Sequence, residues 1–177
     1  MIEVTVDSIR VSLMSQQRIV VLKERGGERQ LVIWIGHAEA DAITLKLQGH
    51  DVPRPMTHDL LRSVVEDLGA TLDHVYIHDL RDDTYYATLV LDQDGRRIEV
   101  DARPSDSIAL AIRAESPIFV ADSIMDRVGI SPSDEEPAAP AAPRGPEEGQ
   151  DLGVFRDFLE TLDLDDLGGE EDPPRKR

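Results

Sequence analysis

Three short stretches place reactive side chains just ahead of apolar runs. They are RPMTHD (Arg54–Asp59), DARPSD (Asp101–Asp106) and WIGHAEAD (Trp34–Asp41). In RPMTHD, Pro55, Thr57 and Asp59 suit a helix start, with the Thr57 hydroxyl capping the first turn. Arg54 and His58 are not needed for that. An arginine beside a helix N-terminus makes an electropositive corner suited to phosphate. A histidine there can act as general acid or base near neutral pH. In DARPSD, Ser105 or Asp106 caps a helix and Pro104 sets its entry, which leaves Asp101 and Arg103 over. Asp101 and Asp106 could hold a hard divalent cation, magnesium or manganese, through oxygen. An ion pair from Arg103 to one of these acids would serve as well to hold the loop. In WIGHAEAD, Trp34 ends an apolar strand and reads as core. His37 and Asp41 are four residues apart and share a helix face, while Glu39 joins the candidates from the first turn. That crowding suits a metal, and it suits a helix N-terminus equally.

These residues need elements to hold them. Val4, Val6 and Ile9 begin a strand. Ile19–Lys23 and Leu31–Ile35 flank Gly26-Gly27 and read as a hairpin. A helix follows, with Ala40, Ile43 and Leu47 on one face and Gly49 as its stop. The run THDLLRSVVEDLG reads as a second helix whose buried stripe is Leu60, Leu61, Val64, Val65 and Leu68. The order then repeats: a strand at Val75–Ile77, a hairpin about Asp94-Gly95, and a helix carrying Ile108 and Ile112. A short strand at Pro117–Val120 ends the pattern. A shift of 65 residues lays Asp41 on Asp106 and Ile43 on Ile108. The expected fold is α+β: a duplicated strand–hairpin–helix unit with a bridging helix and a mostly antiparallel sheet.

A boundary is expected near Ile130. Residues 131–150 read as a disordered linker rich in Pro, Ala and acids. Residues 151–177 read as an acidic tail. Within it, Leu152, Phe155, Phe158, Leu159 and Leu162 fall near helical spacing, so residues 151–165 could dock on a protein partner.

Composition narrows the chemistry. There is no cysteine, which excludes disulfides, thiolate metal sites and a thiol nucleophile. No stretch reads as a signal peptide, and the longest apolar run, Leu31–Ile35, is too short to span a bilayer, so the cytoplasm is the expected compartment. The net charge is −17; residues 1–130 carry 14 Lys and Arg against 22 Asp and Glu. Such a chain does not capture nucleic acid by bulk charge, so a phosphate site would need a local cation. Phosphate-cradling loops of the Walker and dinucleotide types are absent, as is a nucleophile-elbow serine.

WIGHAEADAI, RPMTHDLL and DARPSDSIALAIR, in this order and spacing, resemble the bifunctional nuclease domain family over about residues 1–130. The resemblance implies a wedge-shaped homodimer of triangular α+β subunits, a large groove as the active site, and activity on DNA and RNA. In that reading Arg54 and Arg103 neutralise the phosphate and His58 is general acid or base. Asp101 and Asp106, with Glu39, hold a divalent cation or activate water. The competing reading is a dimeric module without catalysis, which binds a nucleotide, an RNA or a protein. The two differ in whether these side chains meet in an open groove or are consumed in buried ion pairs.

Overall fold

The computed structural model describes residues 1–12, 16–50 and 52–131, all within the compact unit Met1–Pro140. The expected linker at 131–150 and the amphipathic stretch at 151–165 lie outside the described residues, Ser131 apart.

The strands β1 (Ile2–Val11), β2 (Arg18–Glu24) and β3 (Gln30–Ile35) form an antiparallel meander that runs into helix α1 (His37–Leu47). Helix α2 (Thr57–Asp67) follows. Then β4 (Thr71–Arg81), β5 (Thr84–Gln93) and β6 (Arg96–Ala102) make a second meander, which runs into α3 (Pro104–Ala114). Strand β7 (Ile118–Val120) and helix α4 (Asp122–Val128) close the fold. The sheet order is β3-β2-β1-β7-β4-β5-β6, symmetric about β7. Strand β7 is antiparallel to β1 and parallel to β4. The expected α+β class, with two strand–hairpin–helix units and a bridging helix, is the fold observed.

The two-residue turns follow from local chemistry. Asp94 and Gly95 both have positive φ, as a tight hairpin with right-handed twist requires. Asp82 and Asp83 do the same between β4 and β5. That hairpin went unread in the sequence, because neither residue is a glycine and only acids fill the turn.

Val4, Val20, Leu22, Ile33, Val75, Ile77, Ala87 and Leu89 alternate along the strands and face one core, which Ile43 and the apolar side of α3 complete. Helix α3 is the central helix: Ile108, Ala109, Leu110 and Ala111 are all buried.

The register of the repeat differs from the expected one. Both α1 and α3 have eleven residues, and they start after Gly36 and Arg103. The shift is therefore 67, and Glu39, not Asp41, is the counterpart of Asp106. The expected buried stripe of α2 is also absent. Leu60, Leu61, Val64 and Leu68 are exposed, Val65 alone of the five packs on the core, and the buried residue of α2 is His58. Apolar periodicity marks an amphipathic helix but does not say which face meets the protein. Leu47 of α1 is likewise exposed.

Candidate functional site

Strands β3 and β6 are the two edges of the sheet, yet the C-terminal end of β3 and the start of α3, which directly follows β6, line one groove. The curl of the sheet brings them together. Each strand feeds a helix directly, so the first turns of α1 and α3 meet at the same place. The groove has a volume of about 350 Å³ and is lined by Trp34, Gly36, Tyr85, Arg103, Pro104 and Ser105, among others.

Arg103 is the hub. It occupies the N-cap position of α3 and its side chain is 68% exposed. Its Nε donates to Asp106 Oδ2 at 2.7 Å and one Nη to Asp106 Oδ1 at 3.1 Å. The same Nη donates to Glu39 Oε1 at 2.7 Å. The third residue of each helix thus holds the same guanidinium. The pair with Asp106 raises the Arg103 pKa further, so the cation is permanent. Gly36 permits this arrangement, because a Cβ there would collide with the Glu39 carboxylate.

Asp106 also meets His58. Imidazole Nε2 lies 3.2 Å from Asp106 Oδ1. Burial pushes the Asp106 carboxyl upward, but the hydrogen bonds of Arg103 and His58 outweigh it and hold it below the usual carboxylate range. His58 is 8% exposed, and its Nδ1 is buried without a partner among the described residues. An orphaned acceptor is better tolerated than an orphaned N–H. With its proton on Nε2 the ring donates to Asp106 and leaves only an acceptor at Nδ1.

Other candidates fall outside this chain of contacts. Arg54 is exposed in the loop before α2, and no hydrogen bond or ion pair joins it to the cluster. Asp101 is exposed near the end of β6 and has no ion-pair partner among the described residues. His37 and Asp41 do share a face, and Arg18 bridges them: its Nε lies 3.4 Å from His37 Nδ1 and its Nη 3.4 Å from Asp41. Trp34 is half-buried at the groove wall, where core was expected.

The caps differ from expectation too. Met56, not Thr57, is the N-cap of α2, and Asp59 accepts its backbone N–H at 2.9 Å. Neither Ser105 nor Asp106 caps α3, since Pro104 already occupies the first helical position. Ser107 returns its hydroxyl to the Arg103 carbonyl at 2.9 Å.

One functional residue was missed. Arg113 is 4% exposed on α3. Its Nε donates to Asp59 Oδ1 at 2.6 Å, and its Nη groups donate to the Ala109 carbonyl at 2.8 Å and the Ala42 carbonyl at 3.0 Å. One side chain thus ties together the three helices that hold the cluster. Its signal was an arginine one turn after Ala109 on an apolar helix.

Among the described residues, no group of three or more His, Asp or Glu side chains gathers as a metal would need. Glu39 and Asp106 turn to Arg103 instead.

The sequence model of the bifunctional nuclease domain matches residues 20–133, more than half of the chain. The chain belongs to the bifunctional nuclease domain family. An uncharacterized protein of Mycobacterium tuberculosis strain H37Rv is 42% identical over 166 residues, covering 93% of this chain and 97% of its own. Bifunctional nuclease 1 of Oryza sativa subsp. japonica is 30% identical over 105 residues, covering 58% of this chain and 32% of the rice protein. Bifunctional nuclease 2 of the same plant is 28% identical over 137 residues, covering 76% of this chain and 42% of its own. The bifunctional nuclease domain includes all of the Arg103 cluster, from Glu39 to Asp106. No helix among the described residues is long and apolar enough to cross a membrane.

Proposed function

We propose that this protein hydrolyses phosphodiester bonds of DNA and RNA in the groove where α1 and α3 begin. The observation that carries this reading is Arg103, a two-thirds exposed guanidinium locked by Asp106 and Glu39 at the groove wall. It supplies the local cation that an acidic chain needs to take a phosphate. The Ser105 and Asp106 amides, in the first turn of α3, add donors on the same side.

In the reaction, water forms a new bond to phosphorus, an ester P–O bond breaks, and a proton passes to the departing oxygen. Arg103 and the α3 amides bind the phosphate and stabilise the charge that develops on it. Asp106 and Glu39 hold Arg103 in place. His58 acts through Asp106 as a positioning residue: Nε2 is committed and Nδ1 is buried. In this reading Asp101, exposed and without an ion-pair partner among the described residues, takes the proton from water. Magnesium and manganese are varied in the test below.

The competing module without catalysis draws support from the ion pairs around Arg103. The exposure of the guanidinium favours the hydrolytic reading. The homodimer belongs to the same proposal, with the exposed apolar side of α2 as the surface a second copy covers. The deciding assay follows cleavage of single-stranded DNA and RNA oligonucleotides, with and without magnesium or manganese. Wild type, Arg103→Ala and Asp101→Asn are purified in parallel, so a contaminating nuclease would appear equally in all three.

A further inference from the structure

The phosphate end of the groove leaves most of its walls unexplained. Beyond Arg103 the groove is walled by Trp34, Ile33 and Tyr85, with Asp83 and Thr84 from the β4–β5 turn at its rim. Two of its walls are therefore aromatic, in a chain with one tryptophan and three tyrosines. The Trp34 Nε1–H is buried and has no acceptor among the described residues. Asp83 and Arg103 put one negative and one positive charge into the lining of the same groove.

We infer that the groove holds one nucleobase against Trp34 and Tyr85, with the attached phosphate on Arg103. This rests on the hydrolytic reading and names its substrate-binding subsite. The volume, about 350 Å³, is at the lower end for ligand sites, which suits a single nucleotide rather than a duplex. Stacking accepts every base, because each has a π face, and it does not read the sugar. Such a subsite takes ribo- and deoxyribonucleotides alike and requires the base to be unpaired.

The sole tryptophan makes the test direct. Emission of Trp34 is followed while AMP, dAMP, ribose 5-phosphate or inorganic phosphate is titrated into the full chain. AMP and dAMP are expected to quench saturably with Kd values within about threefold of each other. Ribose 5-phosphate and phosphate are expected to leave the emission unchanged. Tyr85→Leu should weaken AMP binding about tenfold, the low end of one stacking contact, while Tyr85→Phe, which keeps the ring and the packing, should not. Equal quenching by ribose 5-phosphate, or AMP affinity untouched by Tyr85→Leu, would overturn the subsite. Cleavage by the same preparations separates the two readings. If Arg103→Ala abolishes cleavage but no nucleotide quenches, the subsite fails and hydrolysis stands. If nucleotides quench but Arg103→Ala cleaves like wild type, the subsite stands and hydrolysis at Arg103 fails.

Discussion

Arg103 carries more contacts than its place in the sequence announced. Its expected ion pair to a neighbouring acid is present, and Glu39, 64 residues away, adds a second. Removing the guanidinium should lower kcat/KM on oligonucleotides about a hundredfold. Arg103→Lys should recover only part, because an ammonium cannot face Asp106 and Glu39 in the same planar fork. His58→Gln should lower kcat several-fold and leave KM nearly unchanged, since the ring touches Asp106 and not the substrate. An equal loss through KM alone would contradict a positioning role. Of the six residues the motifs named, Arg103, Asp106, Glu39 and His58 are in mutual contact. The motifs could not show that His58 faces inward, because burial of one polar residue in an amphipathic helix depends on which side docks. They also placed Arg54 with the cluster, on the strength of a helix-start motif that fixes the backbone but not the side chain's neighbours.

At the scale of elements, the three helices hang together through Arg113. The charge is buried and matched by Asp59 and two carbonyls. Arg113→Met should destabilise the fold by about 3–5 kcal/mol in urea denaturation, because the carboxylate it leaves is unpaired. Adding Asp59→Asn should return part of that loss, while simple additivity of the two variants would argue against the pair. Burial pushes the Asp59 carboxyl upward, but the Met56 amide and Arg113 outweigh it and hold it below its ordinary value. Asp106 is lowered in the same sense. Groups held low in the fold favour it while ionised. That contribution is complete above the ordinary carboxylate pKa of about 4, and it is lost as pH falls through the lowered values. The thermal midpoint should therefore drop below about pH 4, and less steeply in Asp59→Asn. Of the elements, the hairpin about Asp94-Gly95 and helix α3 were legible from turn chemistry and periodicity. Helix α4 was not, since its seven residues carry too short a pattern.

In the described fold, two like units flank β7, and the sheet curls until the end of β3 and the start of α3 share one groove. The duplication was visible in the sequence, but its register was not. Asp41 and Asp106 match by residue type, while the helix starts pair Glu39 with Asp106. Only that register explains why both acids hold one arginine. The exposed apolar side of α2 belongs to this scale as well. Leu60→Glu with Val64→Glu should convert a dimer to a monomer in light scattering, and a wild type that is monomeric throughout would contradict that interface. The central claim is hydrolysis at Arg103, and one measurement tests it most directly. Cleavage of the same single-stranded oligonucleotide, as DNA and as RNA, is compared between wild type and Arg103→Ala purified side by side. The account predicts that wild type cleaves both and that the variant loses about a hundredfold on each. Equal cleavage by the two proteins would contradict it.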